Sequence, residues 1–362
     1  MLEYNIIYCS ILIGAFLCFF SKKKTYNVYY IIVCIFMLLV CGLRNEYIGI
    51  DTSNYLYYFT NPTDTNGYYQ SKEDFEPGLN WLNHFISLFI SNKYIYQLLI
   101  TALFQIPIYI FFKRYSRNKF ISLFLYTAFS IGCGVYFMGF NAMRQSLAIG
   151  LFMWCLLAYM DNGCSIKNIK VISLFVAMIL VHKSSIIVVL PFILSQFRLT
   201  KKAYILIVCM SMAIGFVMNY FFSYLELAFI LVTGGTFYTQ SLTDGGFNFI
   251  SLLPYSLICL CIILYSRKEE LNNLFFNSLI MAIFLQGIMA FSGNNVDRMC
   301  AYYYVLGIVS IGNFIMSKDK SFYVRCAMTI CILIYFTYKY YTSLQLMTEG
   351  GHNFIPFNWC FN

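Results

Sequence analysis

An all-α, polytopic integral membrane bundle is the fold class this sequence predicts, on two observations. Only 11% of its 362 residues are charged, while 60% are hydrophobic and 20% aromatic; a soluble domain carries about 25% charged residues. The apolar residues also fall in long runs, several of about 17–20 residues, long enough to cross about 30 Å of hydrocarbon at about 1.5 Å per residue. Lipid cannot satisfy the open edge of a strand, so each run is expected to be a helix.

The runs fall near 4–20, 28–43, 94–112, 120–138, 143–160, 171–182, 185–197, 203–222, 249–265, 273–291, 299–316 and 322–341, giving about twelve transmembrane segments. The first ends in Ser21-Lys22-Lys23-Lys24 with no small-residue cleavage site, so it is expected to stay as a helix. Stretch 79–92 is amphipathic and is placed as an external or re-entrant helix, because counting it as a span would invert every later connection. The 14 cysteines lie almost all inside apolar runs, as Cys9, Cys18, Cys34 and Cys41 do, and form no CxxC pair. They read as small apolar fillers rather than a disulfide framework. Gly-rich phosphate loops, zinc spacings and GxSxG are absent, so no metal and no cofactor is expected.

The short connections sort by charge. Lys22–Lys24, Lys113, Arg114, Arg117, Lys119, Lys167, Lys170, Arg198, Lys201, Lys202, Arg267, Lys268, Lys318, Lys320 and Arg325 share one side, with only Asp161, Glu269, Glu270 and Asp319 for company. The other side is net acidic. The basic side is therefore cytoplasmic by the positive-inside rule. A net charge of +9 distributed this way is topological and speaks against a nucleic-acid partner. Cytoplasmic turns are short, whereas two outer connections are long, about 44–93 and 223–248. One membrane domain over 1–362 is expected, with its working surface outside.

Outer-side cations need a further reason. Arg44 follows the second run, Arg144 opens the fifth, His182 and Lys183 interrupt an apolar stretch, and Arg298 opens the eleventh. Each alone could anchor a helix end by snorkelling. Together, where cations are disfavoured, they read as an anion site, and the guanidinium fork suits phosphate or pyrophosphate. Because Lys167/Lys170 and Arg198/Lys201/Lys202 hold both ends of 171–197 in the cytoplasm, that stretch must go out and return within about 27 residues. Two halves of about 20 Å fall short of a full crossing, which puts His182-Lys183-Ser184 at a recessed turn. A lone intramembrane His is often structural; at the bottom of an outward cavity it is equally a candidate catalyst.

The first outer loop carries the acids Glu46, Asp51, Asp64, Glu73, Asp74 and Glu76. Most read as a solvated acidic face, but Asp51 and Glu76 sit among apolar and turn residues, in GIDTSNY and FEPGLNWLN. Carboxylates suit sugar hydroxyls or the deprotonation of one. Outer aromatics such as Tyr55 and Trp81 fit an interfacial belt, and their rings could also stack on sugar faces.

At these residues the chain resembles the EpsG-like branch of the Wzy-type O-antigen (polysaccharide) polymerases. The matching pieces are Arg44 with GIDTSNY (49–55), EPGLNWLN (76–83), RQSLAIG (144–150), HKSS (182–185) and DR (297–298), in the family's order over nearly the whole chain. The resemblance implies a bacterial inner-membrane protein with a GT-C-like bundle. It implies metal-independent joining, at the periplasmic face, of oligosaccharide repeat units carried on undecaprenyl pyrophosphate, and a chain-length regulator as a partner. The family's basic residues carry over to Arg44, Arg144, Lys183 and Arg298.

Such a transfer needs cations at the leaving group and a base at the acceptor hydroxyl. Pyrophosphate is therefore assigned to Arg144 and Arg298 with Arg44 and Lys183 assisting. His182 is the first choice of base and Asp51 the second, and Glu76, Tyr55 and Trp81 are assigned to sugar. The lipid tail would enter between helices. A flippase or transporter is the rival from another class, but it calls for charges along a route reaching both sides. A glycan ligase using the same carrier remains open, and a membrane acyltransferase is a weaker alternative.

Overall fold

The computed structural model describes residues 1–20, 25–61, 76–129, 134–195, 197–233, 249–288, 294–317, 319 and 321–361. It is all-helical, with no β-strand among the described residues. In chain order the helices are α1 (Leu2–Phe20), α2 (Thr25–Gly42), α3 (Thr52–Thr60), α4 (Pro77–Ser87), α5 (Lys93–Tyr115), α6 (Lys119–Ala128), the single turn α7 (Val135–Met138), α8 (Met143–Asp161) and α9 (Ile169–Val181). Then follow α10 (Val189–Ser195), α11 (Lys201–Thr233), α12 (Leu253–Tyr265), α13 (Lys268–Leu271), α14 (Leu274–Ile288), α15 (Asn294–Ile315) and α16 (Phe322–Met347). By length and composition, among the described residues, Lys93–Tyr115, Met143–Asp161 and Phe322–His352 can each cross a membrane, and several further apolar helices run 10–17 residues.

Local chemistry sets several starts. The side chains of Asn92, Asn118 and Asn168 accept from the first free amides of α5, α6 and α9, satisfying donors that a helix leaves unpaired. Pro77 opens α4, where its missing N–H costs nothing.

The chain packs as two compact units. The first comprises Met1–Phe129, Cys133–Ile186 and Leu333–Asn362. In it α8 lies along α5 and α9, α5 along α2, α1 along α2 and α6, and α4 against α9. Its core is aromatic: Tyr4, Phe137, Phe140, Phe354 and Phe357 meet ring to ring, with centroids 5.2–6.4 Å apart. In the second unit, which contains Ile187–Ile332, α14 packs against α10, α11 and α15. There Tyr204 donates to Asn277 Oδ1 at 2.6 Å.

Three expectations change. Run 120–138 is not one continuous helix: α6 stops at Ala128 and α7 resumes at Val135, across a Ser-Ile-Gly-Cys-Gly sequence of weak helix formers whose residues 130–133 lie outside the described ones. The outer connection placed at 223–248 starts later, because α11 continues through the apolar Phe222–Thr233 stretch; 234–248 lie outside the described residues. The long loop at 44–93 contains two helices, α3 and α4, with 62–75, and so Asp64, Glu73 and Asp74, outside the described residues. Lys22–Lys24, Lys318 and Lys320, expected on the cytoplasmic side, also lie outside them. Every cysteine among the described residues is a free thiol.

Candidate functional site

The first unit gathers a cluster around one carboxylate. Glu76 is the residue before α4, and Gly78 sets how near that helix comes to α9: a Cβ there would stand 2.6 Å from the Leu180 carbonyl carbon. Bare backbone at Gly78 therefore lets α4 lie against the end of α9, where His182 is the first residue off the helix. His182 has extended backbone (φ −155°, ψ 104°), and its N–H still donates to Met178 O at 3.0 Å. The chain then tightens into a 3₁₀ turn, Lys183–Val188.

Around Glu76 three elements converge. Arg144, in the first turn of α8, donates from Nη1 to Glu76 Oε2 at 2.7 Å. His182 Nδ1 lies 3.4 Å from Glu76 Oε1, and the Lys183 backbone N–H donates to the same oxygen at 3.4 Å. On its other side the imidazole Nε2 meets Ser184 Oγ at 2.7 Å. The side chains of Glu76 and His182 are only 12% and 18% exposed, and Arg144 is 28% exposed. Burial alone would raise the Glu76 carboxyl. Its own backbone N–H, Arg144, His182 and the Lys183 amide outweigh that and hold it below its ordinary value. It is therefore a carboxylate at neutral pH, with acceptor oxygens only.

Arg44 has a different place. It is fully buried, and its Nε donates to Ile48 O (3.3 Å), Nη1 to Cys41 O, and Nη2 to Thr52 Oγ1 (3.0 Å) and Phe140 O (3.1 Å). The guanidinium also lies 5.1 Å from the Phe140 ring centroid. Gly49, at φ +91°, makes this possible, since a Cβ there would fall 1.8 Å from Phe140 O. The assignment of Arg44 to pyrophosphate is thus corrected: with no exposed surface and its donors turned inward, it locks the 41–52 turn onto Phe140.

The other assigned residues are scattered. Asp51 precedes α3 and makes no side-chain cap bond; its N–H donates to Asn141 Oδ1 at 3.1 Å, tying α3 to the turn before α8. Tyr55 is half-buried on α3, and Trp81 is 80% exposed on α4, which also carries the exposed Phe85, with exposed Phe89 just past its end. Glu76, assigned to sugar, instead has both oxygens engaged by protein donors. Arg298 is exposed in the first turn of α15 in the second unit. Its neighbour Asp297, part of the DR motif but given no role of its own in the sequence, is buried and accepts from Gln286 Nε2 at 3.2 Å. Ser184 was named only as part of the turn, although its offset of two from His182 is what brings its hydroxyl to the ring. Among the described residues no three His, Cys, Asp or Glu side chains group as a metal site.

The model of the EpsG family matches residues 27–359, and EpsG-like proteins are relatives of the Wzy-type polymerases. No curated protein and no solved structure matches the chain.

Proposed function

Because this chain belongs to the EpsG family, which makes it a glycosyltransferase-like membrane polymerase at the family level, we propose that it joins lipid-linked oligosaccharide repeat units. In this reading the carrier is undecaprenyl pyrophosphate, the membrane is the bacterial inner membrane, and transfer takes place at the periplasmic face without a metal, as in O-antigen or capsule assembly.

The observation that carries the reading is the convergence of Arg144 from α8 and of His182 and Lys183 from the α9 end on Glu76, the residue before α4. Arg144 and the exposed Lys183 ammonium supply positive charge for the leaving pyrophosphate. The acceptor hydroxyl gives its proton to His182, its oxygen bonds to the anomeric carbon, and the carbon–oxygen bond to pyrophosphate breaks with its electron pair on the leaving group. Asp51 is kept as the second candidate base, and Tyr55 and Trp81 as sugar platforms. Arg298, on the second unit, is kept as a proposed anion ligand, supported if Arg298→Ala loses the ladder and dropped if it does not. A chain-length regulator stays a proposed partner.

Complementation of a polymerase-null strain tests this. Arg144→Ala, His182→Ala and Arg298→Ala variants are expressed at matched levels, and the surface glycan is resolved on a gel. Arg144→Ala and His182→Ala are expected to leave single repeat units, with losses on the order of 100-fold or more. Full ladders from both variants would refute the site. A wild type that makes no ladder but alters carrier export or acceptor capping would move the assignment to a flippase or a ligase.

A further inference from the structure

We infer that Glu76 is the positioning residue for His182, presenting the imidazole with Nδ1 toward its own Oε1 and Nε2 toward the acceptor hydroxyl, whose seat the Ser184 hydroxyl now occupies. This deepens the polymerase reading above and rests on it.

The argument is one of donors and acceptors. Glu76 is held as a carboxylate, so each of its oxygens can only accept. Oε2 takes Arg144 Nη1 at 2.7 Å, and Oε1 takes the Lys183 amide at 3.4 Å and faces His182 Nδ1 at 3.4 Å. An imidazole nitrogen turned to such an oxygen is favoured as the N–H, which leaves the lone pair of the neutral ring on Nε2. That nitrogen stands 2.7 Å from Ser184 Oγ, the distance of a hydrogen bond to a hydroxyl. Ser184 is exposed, so the hydroxyl opposite the proton-accepting nitrogen lies on the open side of the cluster. A sugar hydroxyl arriving there would meet the same lone pair.

Among the described residues the charged groups set against or next to His182 are Glu76 before α4, Arg144 from α8 on the same carboxylate, and Lys183 beside it in the chain. Glu76 is the only anion of the three. When His182 takes the proton, the imidazolium gains a carboxylate partner on Nδ1, while the Arg144 guanidinium on the same carboxylate opposes the charge. A carboxylate aligning a general base and stabilising its protonated form is the division of labour of a catalytic triad. Here the third member is the acceptor substrate rather than Ser184.

Membranes of the host strain, carrying its own lipid-linked repeat unit, provide the assay. Ladder formation is timed between about pH 5 and 8, the range in which histidine titrates, for wild type, Glu76→Gln, Glu76→Asp and Ser184→Ala. In parallel, diethyl pyrocarbonate modification of His182 is followed by mass spectrometry, which reads the imidazole without requiring turnover. Glu76→Gln is expected to slow transfer on the order of 100-fold. Its acid limb and the His182 modification midpoint should both move down by about one pH unit, since the neutral ring no longer has an anion favouring protonation. Glu76→Asp should recover part of the rate, and Ser184→Ala should still transfer.

An equal loss at every pH with neither midpoint moved would mean that Glu76 only joins α4 to α8 and α9, and the inference fails. It fails equally if Ser184→Ala abolishes transfer and wild type accumulates a sugar adduct on Ser184, because the hydroxyl is then a nucleophile. If Glu76→Gln does not reach the membrane, Glu76→Asp decides by whether its limb shifts. A His182 midpoint that moves in a protein forming no ladder identifies the polymerase reading as the part that failed, and the general-base role is overturned with it.

Discussion

Arg44 and Arg144 both stand beside helix ends in the same unit, and their surroundings are opposite. Arg44 is sealed, its five N–H donors answered by backbone carbonyls, a hydroxyl and a thiol from Cys41, Ile48, Thr52 and Phe140. Arg144 keeps part of its surface in the open and shares a carboxylate with a histidine. The difference teaches that a cation out of place for topology has two separate explanations. One guanidinium can close a fold by filling many acceptors at once, while another can hold a charge ready for an incoming anion.

The largest effect is expected where the sealed region is opened. Arg44→Ala leaves several buried acceptors unpaired, at about 1–3 kcal/mol each, and should sharply reduce the folded protein recovered in detergent. Arg44→Lys should rescue little, because a lysine cannot present five donors in a fixed fork. Gly49→Ala forces a Cβ onto Phe140 O and should likewise destabilise by about 2 kcal/mol or more. Thermal unfolding of the purified variants measures both, and wild-type stability in either would dissolve the contrast.

Arg144→Ala should do the reverse. Folded yield and thermal midpoint should stay near wild type, while ladder formation drops on the order of 100-fold. A fall in yield matching that of Arg44→Ala would make both arginines structural.

A smaller effect follows from pH. The Glu76 carboxyl titrates below its ordinary value of 4.5 in the folded protein. Its contribution to stability is therefore present above the unfolded value and lost as pH falls through the lower, folded one. The thermal midpoint of wild type should exceed that of Glu76→Gln at neutral pH, and the gap should close below pH 4.5. A gap independent of pH would show that the ionised carboxylate contributes nothing.

Trp81→Ala should have the smallest effect on the fold, within about 0.5 kcal/mol, since the ring is 80% exposed. If the ring stacks on the glycan, the acceptor concentration needed for half-maximal transfer should rise with the maximal rate unaltered.

Much of this was legible in the chain. The break at His182 followed from basic residues on both flanks of a stretch too short to cross twice, and the helix does end at Val181. Amphipathic 79–92 holds α4, where a helix was expected. What local patterns could not separate was Arg44 from Arg144. The acceptor that closes over Arg44 comes from Phe140, 96 residues on, and the oxygens that hold Arg144 and Lys183 come from Glu76, 68 and 107 residues away. Glu76, among apolar and turn residues, reads in sequence as a carboxylate suited to sugar hydroxyls; only folding supplies its protein partners. The run at 120–138 is overextended because its apolar content outweighs its weak helix formers, whereas α11 runs on past 222 through further apolar residues.

The Arg44 turn has a consequence for how the protein is made. Asn45 N–H donates to Asn358 O and Cys360 N–H to Leu43 O, so the turn is bolted to a segment about 300 residues downstream. At about 5–20 residues per second of synthesis, roughly 15–60 s separate the two halves of that fastening. Throughout that interval the nascent chain must hold the Arg44 turn without its final strap. A chaperone or insertase that shelters an unfinished polar turn would be needed most at this stage.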